Sequence, residues 1–296
     1  MFDTFRKSVK NTIGTGHEII RIDNHGNYHS LCEAYNKGAT ISKYEILCFI
    51  HEDVEFMSEG WGKVLVEIVS DKKTGVVSIA GSTYIPPIPC SWWITSQEIE
   101  KVKNDYDILR SCVIHDIQGK AAIDSIYPRN DSSPTEVPVL VTDGVFLAMR
   151  KEVWRKTGFD ADTFSGFHFY DLDISLNASR QFINRVTYRI SIKHFSGGNL
   201  NRQWLKESLK FIGKWKKELL HVKANVSGKD KMQLEIIGIR QFLRLCILKR
   251  YYPGQFLVYW FKLISKESLT VYSMMELLRY FKGALLQPFR KIAVVA

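Results

Sequence analysis

Three short clusters in this 296-residue chain hold the residue types that cation and proton-transfer chemistry requires. His51-Glu52-Asp53 closes the apolar run EILCFI (45–50). Phe167 to Asp173 reads FHFYDLD, with His168 among aromatics and Asp171 and Asp173 two residues apart. His194 follows RISIK (189–193) and precedes Ser196-Gly197-Gly198. Carboxylates and an imidazole at a strand end suit a divalent cation, with hard oxygen ligands favouring Mg²⁺ or Mn²⁺ and histidine acceptable to Mn²⁺. The same triplet also reads as a polar turn that merely ends a strand. Asp171 and Asp173 fall where a helix begins. There the helix macrodipole favours acids as caps, and a carboxylate can equally act as a general base toward a hydroxyl.

Those clusters need a scaffold, and the first 200 residues supply a rhythm for one. Helix patterns cover 4–13, 28–42 and 61–70; strand patterns cover 17–23 (HEIIRID), 45–50 and 75–81 (GVVSIAG). Alternation of this kind predicts an α/β fold with a mostly parallel, Rossmann-like sheet and helices on both faces. Ligands of such sheets bind beyond the carboxyl ends of the strands, which places Asp23 and His51–Asp53 on one rim. Residues 83–138 hold six prolines and the Trp92-Trp93 pair, and a long irregular segment of this type suits a functional loop. Residues 139–150 read as strand, Asp143-Gly144 turn, strand. Trp92 and Trp93 also suit core packing.

Composition narrows the classes. Hydrophobic residues are 45% and charged residues 24%, the proportions of a globular chain able to bury a sizeable core. The five cysteines are odd in number, widely spaced and without a CxxC pair, which predicts buried thiols in a reducing compartment. No apolar leader and no run long enough to span a bilayer is visible, so the chain is expected to be cytoplasmic. The net charge of +10 is uneven: residues 202–296 hold 19 Lys/Arg against 6 Asp/Glu. The tail reads as basic amphipathic helices, with Leu205, Leu209, Ile212, Trp215 and Leu219 on one side and Lys206, Lys210, Lys214 and Lys217 on the other. Such helices either pack on the rest of the protein or lie on an anionic membrane surface, here the inner face. No nucleic-acid module is recognisable, and no nucleic-acid partner is expected.

Several blocks in order resemble the family 2 glycosyltransferases of the GT-A fold, in the bacterial branch with HEDV and HFYDLD segments. They are SVKNTIGTGHEIIRIDN, AYNKGATISKYEILCFIHEDVEF, Gly60-Trp61-Gly62, VTDGVFLAMRKEVW and GFDADTFSGFHFYDLDIS. The resemblance covers residues 1–200 as a GT-A domain and leaves 201–296 as a basic helical region. It implies a metal-dependent inverting transferase of the hexosyltransferase type. Such an enzyme moves a sugar from a UDP- or GDP-linked donor to a hydroxyl of a glycan or lipid-linked acceptor, as in cell-surface polysaccharide synthesis.

By the same resemblance Asp23 contacts the nucleobase, and His51, Glu52 and Asp53 fill the family's D-x-D slot. Asp53 and His194 hold Mn²⁺ or Mg²⁺, and Asp143-Gly144 lies against the donor sugar. Asp171 is the base, with Asp173 as the alternative, and Trp92, Trp93 and His168 contact the acceptor. Three departures stand out: His51 replaces the first acid of the slot, Tyr170 replaces the Glu beside the base, and the family's opening strand has no counterpart before the first helix. Those departures also fit a catalytically inactive module that binds sugar or nucleotide.

Overall fold

The computed structural model describes residues 1–23, 29–94, 108–116, 123–127, 134–222, 226–267 and 270–285. The first elements are α1 (Phe2–Thr12), α2 (Leu31–Ile41), β1 (Ile46–Ile50), β2 (Val54–Phe56), α3 (Trp61–Ser70), β3 (Thr74–Ser78) and β4 (Ala80–Ser82). There follow β5 (Leu109–His115), β6 (Ile123–Tyr127), β7 (Glu136–Val139), β8 (Val141–Thr142), β9 (Phe146–Arg150), α4 (Lys151–Thr157), α5 (Tyr170–Ser179), β10 (Ile183–Thr187) and β11 (Ile192–His194). The chain ends in α6 (Arg202–Leu220), α7 (Gly228–Leu248), α8 (Gln255–Glu267) and α9 (Val271–Leu285).

Local chemistry explains several boundaries. Ser30 and Glu33 form a reciprocal capping box at the start of α2, which satisfies two otherwise orphaned backbone donors. The left-handed Gly60 precedes Trp61, whose indole stacks on Phe56 at 4.1 Å and donates to Thr12 Oγ1. That packing fastens α3 and α1 to the strands they cover.

The α/β class holds, and the pairing within it differs from the mostly parallel expectation. Two mixed sheets form, in the orders β1-β9-β3-β10-β7 and β2-β11-β5-β4-β8, with β6 on β5. Among the described residues, only β3 with β10 and β5 with β11 pair in parallel; the other ladders are antiparallel. The run 75–81, which reads as one strand, is broken at Ile79, so that β3 serves the first sheet and β4 the second. Likewise the two halves of 139–150 do not form a hairpin. β8 joins the second sheet and β9 the first. The backbone also changes sheet between β1 and β2 and between β10 and β11. These crossings make a seam, and polar residues gather there because backbone leaving one ladder needs other partners.

A second difference concerns residues 17–23, which form no strand. An apolar run becomes a strand only beside a hydrogen-bonded neighbour, and none of the described strands pairs with it. Between this segment and β1 lies a cleft of about 990 Å³, bounded by Phe5 and Val9 of α1, Tyr35 of α2 and Leu65 of α3. β1 is the edge of its sheet on that side. Glu45 accepts from Lys151 and His51 donates to Val145, so the odd-numbered residues of β1 bond β9. In an antiparallel ladder the even ones, Ile46, Cys48 and Ile50, then turn their backbone groups toward the cleft.

Chain contacts divide the protein into two units, residues 1–85 with 103–199, and 86–102 with 200–296. In the second unit Leu205, Ile212, Trp215 and Leu219 of α6 are buried, as are Leu234, Ile239, Phe242 and Leu243 of α7. The apolar faces expected of these helices are therefore packed, while Lys206, Lys210 and Lys217 face outward. Ile88 and Cys90 lie against Gly238 of α7, and Gln241 accepts from the Ser91 amide. The Trp92-Trp93 segment belongs to this unit. No helix among the described residues is long and apolar enough to cross a membrane.

Candidate active site at the sheet seam

His51, Glu52 and Asp53 occupy the crossing from β1 to β2. The His51 amide donates to Val145 O, and Asp53 O accepts from Phe195 N. These bonds bring the triplet against β9 and the end of β11, where His194 sits 8% exposed. One donor atom each from His51, Asp53 and His194 lies within 4.8 Å of the others. His194 Nε2 is 3.4 Å from Asp53 Oδ2 and 3.1 Å from Ser196 Oγ; His51 Nδ1 is 4.0 Å from Asp53 Oδ1. A first-row divalent cation at about 2.0–2.3 Å from its ligands sets them about 3–4.5 Å apart. Two imidazoles and a carboxylate within this spread fit such an ion after a small inward shift of the side chains. Glu52, between them in sequence, is exposed and outside the donor group.

Electrostatics prepare the three groups. Partial burial works against ionisation of Asp53, yet hydrogen bonds from His194 and Ser196 and the two nearby imidazoles hold its carboxyl well below the usual range. Burial lowers the His51 pKa, opposed by the charges of Asp143 and Asp53 and reinforced by His194. At neutral pH the site therefore presents an anion and a neutral His51, the state in which imidazole nitrogen can ligate.

The tautomer of His51 follows from a hydrogen-bond count. Tyr170 donates its one hydroxyl proton to Gly144 O at 3.1 Å, so it accepts from His51 Nε2 at 3.0 Å. With the proton on Nε2, His51 leaves Nδ1 unprotonated toward Asp53. Both departures from the family pattern, His51 and Tyr170, are one hydrogen-bonded unit. Tyr170 carries no sequence signal for this role, because its partner lies 119 residues away. Gly144 completes the unit: a Cβ there would collide with the Tyr170 hydroxyl.

Asp171 lies in the first turn of α5, behind Phe169, a non-glycine residue at φ 64°. Its Oδ2 accepts from the Gly144 amide at 2.9 Å and its Oδ1 from Leu172 N at 3.0 Å. Ser175 ties the same helix turn to β8 through Asp171 O and Thr142. Burial, then repulsion from Asp143, pushes the Asp171 carboxyl up to about 7, against the three backbone hydrogen bonds that lower it. Asp143 itself caps the crossing, accepting from Val145 N at 2.9 Å and donating its amide to Ala80 O. Its charge reaches His51, His115, Tyr170 and Asp171.

The structure thus gathers His51, Asp53, Asp143, Gly144, Asp171 and His194 at one seam. Asp173, two residues on, is 2% exposed on the buried side of α5. Asp23 is exposed at the end of the unpaired segment. His168 is half-buried before α5. Trp92 and Trp93 form a T-shaped pair at 5.4 Å, Trp92 buried and Trp93 half-buried.

An α/β protein with a candidate cation site and a raised-pKa carboxylate at the seam of two mixed sheets is the class these features define. The chain belongs to the Glycosyltransferase like family, whose model matches residues 5–218. No curated protein matches the sequence. Among solved structures, that of GalNAc-T7 with UDP, GalNAc and Mn²⁺ aligns over 76% of this chain and 45% of its own, at 12% identity and a TM-score of 0.41. This chain accordingly spans less than half the length of that protein.

Proposed function

We propose that the protein is an inverting, cation-dependent glycosyltransferase of the hexosyltransferase type that takes a UDP- or GDP-linked sugar and glycosylates a hydroxyl of a glycan or lipid-linked acceptor, in cell-surface polysaccharide synthesis. The observation that carries this is the hydrogen-bonded link from His51 through Tyr170 and Gly144 to Asp171, which couples a cation site to a carboxylate tuned near neutrality. Asp53, His194 and His51 Nδ1 would hold Mn²⁺ or Mg²⁺. The bound ion supplies positive charge to the departing nucleoside diphosphate.

The chain's own residues do the rest. Asp171, with a pKa of about 7, is ionised often enough to accept the acceptor's hydroxyl proton as that oxygen attacks the anomeric carbon. Asp143 raises Asp171's basicity and, with Gly144, faces the donor sugar. Asp173 is a packing residue of α5 rather than the base. Asp23 and Glu52 contact the nucleoside side, and His168 serves the acceptor. In domain terms, 1–200 is the GT-A catalytic domain and 201–296 the helical region.

The cytoplasmic chain docks peripherally on the anionic inner face of the membrane. The surface for this is α8 and α9, because the faces of α6 and α7 are packed. Val258 and Phe261 on α8 and Val271, Met274, Met275 and Leu278 on α9 are exposed large apolar side chains, in a region of strong positive charge.

A second reading has its own observation. Both Asp171 oxygens already accept backbone hydrogen bonds, which suits an inactive module that binds nucleotide or sugar. Incubation with UDP- and GDP-sugars and Mn²⁺ separates the two. Transfer or slow donor hydrolysis that disappears in Asp171→Asn supports the enzyme; nucleotide binding without turnover, unchanged in that variant, supports the module.

A further inference from the structure

Ser175 stands one turn beyond Asp171 on α5 and is fully buried, as is Thr142 of β8. Its hydroxyl lies 2.6 Å from Asp171 O, 3.1 Å from Thr142 N and 2.7 Å from Thr142 Oγ1. A serine hydroxyl has one proton and two lone pairs. The proton goes to the Asp171 carbonyl, which can only accept, so both lone pairs serve Thr142 and the Thr142 hydroxyl donates. The Ser175 carbonyl is held too: it accepts from Asn184 Nδ2 of β10 at 2.8 Å, and Asn184 Oδ1 accepts from Val76 N of β3 at 3.1 Å. These bonds tie α5 to both sheets. Asp143 alone separates Thr142 from Gly144. The Gly144 amide donates to Asp171 Oδ2 at 2.9 Å, and its carbonyl accepts from Tyr170 at 3.1 Å. Residues 142–144 and α5 therefore meet at three points, and the Thr142–Ser175 point is the one without a titratable group. Hydrogen bonds depend steeply on distance and angle, so a small drift of this stretch is felt at the Asp171 carboxylate.

We propose that Ser175 is a positioning residue for the base: by fixing Thr142 it keeps the Gly144 amide on the Asp171 carboxylate and that carboxylate aimed for proton transfer. This rests on the reading of Asp171 as the base. Ser175 touches no reacting atom and acts only through Thr142 and Gly144. The titratable groups that face Asp171 are Asp143 in the turn between β8 and β9, Tyr170 on α5 and Tyr35 on α2. Burial pushes both phenols above their usual range, so they stay neutral while Asp171 titrates. Changing Ser175 alters none of these groups. It alters the Gly144 hydrogen bond, which favours the ionised carboxylate.

The test is an NMR titration of the Asp171 carboxyl in the full chain carrying ¹³C-labelled aspartate, with Asp171→Asn identifying the signal, beside the pH profile of sugar transfer. Ser175→Ala removes the acceptor of Thr142 and is expected to raise the Asp171 titration by about 0.5–1 pH unit. The rising limb of transfer moves up with it. The rate then falls about three- to tenfold below that limb and recovers above it. Ser175→Thr, which keeps the hydroxyl, is expected to restore the native titration. Thr142→Val removes one of the two bonds to Ser175 at nearly constant shape, is expected to give a smaller upward shift, and serves where Ser175→Ala does not fold. Asn177→Ala cuts a bond from the same helix to Thr157 O, away from β8, and is expected to leave the titration unchanged. Native titration in both Ser175→Ala and Thr142→Val overturns the inference. An equal shift in Asn177→Ala does so too, by showing a general loosening of α5. Absence of transfer in the native chain refutes the enzyme reading; the titration needs no turnover and still supports or overturns the hold of Ser175 on Asp171.

Discussion

Replacing Tyr170 by Phe isolates the coupling between the cation site and the base. The phenol is 4% exposed, and its hydroxyl accepts from His51 Nε2 at 3.0 Å and donates to Gly144 O at 3.1 Å. Phe keeps the ring and its contacts with Tyr35 and Phe159. The hydrogen bonds to His51, Gly144 and the Tyr35 hydroxyl are lost at about 1 kcal/mol each, so the fold is expected to lose about 2–4 kcal/mol. The functional effect is separate. Without the hydroxyl, His51 is no longer held with its proton on Nε2, and Nδ1 is unprotonated only part of the time. Partners of this kind behind a metal ligand are worth about 10–100-fold in metal affinity, which is about 1.4–2.7 kcal/mol. Calorimetric titration with Mn²⁺ should show that loss in Tyr170→Phe. In a His51→Ala background the same change should cost almost nothing further, because Tyr170 acts through His51. Native-like affinity in Tyr170→Phe, or two losses that add in full, refutes the tautomer argument.

Further outcomes are expected. The rate of sugar transfer rises with pH through about 7, because Asp171 must be ionised to act. The stability slope has the opposite sign: the folded state keeps a proton on Asp171 that the unfolded chain has released, so this group costs stability as pH climbs from about 4 to 7. Asp171→Asn is expected to flatten the stability profile, and a thermal-unfolding series with pH that is identical in the variant contradicts the shift. Gly144→Ala forces a Cβ into the Tyr170 hydroxyl and is expected to reproduce the Mn²⁺ defect of Tyr170→Phe, measured in the same titration. Hydrogen exchange along β1 should alternate: the Leu47 and Phe49 amides, bonded to β9, are protected, whereas Ile46, Cys48 and Ile50, facing the cleft, exchange quickly. Cys48 is exposed, unlike the buried thiol expected from its apolar run, and should alkylate faster than the buried Cys32, Cys90 and Cys246. Vesicles containing anionic lipid should carry the protein down on centrifugation, less so as salt rises, and Leu278→Glu should weaken that binding at every salt concentration.

The parts of this molecule that depend on neighbours in sequence could be seen without coordinates. The period of apolar residues marked α3 over 61–70 and β1 within 45–50, and the polar triplet after Ile50 marked a strand end. Acids opening a helix marked α5. The order of the blocks was enough to indicate the family, since each block carries its own residue types whatever it packs against. Periodicity reports how a segment divides between core and solvent; it is silent on which segment lies beside it. For that reason the run 17–23 looked like a strand although it has no paired neighbour, and 75–81 looked like one strand although Ile79 hands the chain from sheet to sheet.

The same silence hid the chemistry of Tyr170. By type alone Tyr170 is a loss of the family's acid. Only in the folded chain does Tyr170, at the start of α5, reach His51 across 119 residues. Hydrogen bonds act over about 3 Å in space, and which side chains share that distance is decided by the packing of the sheets rather than by separation along the chain.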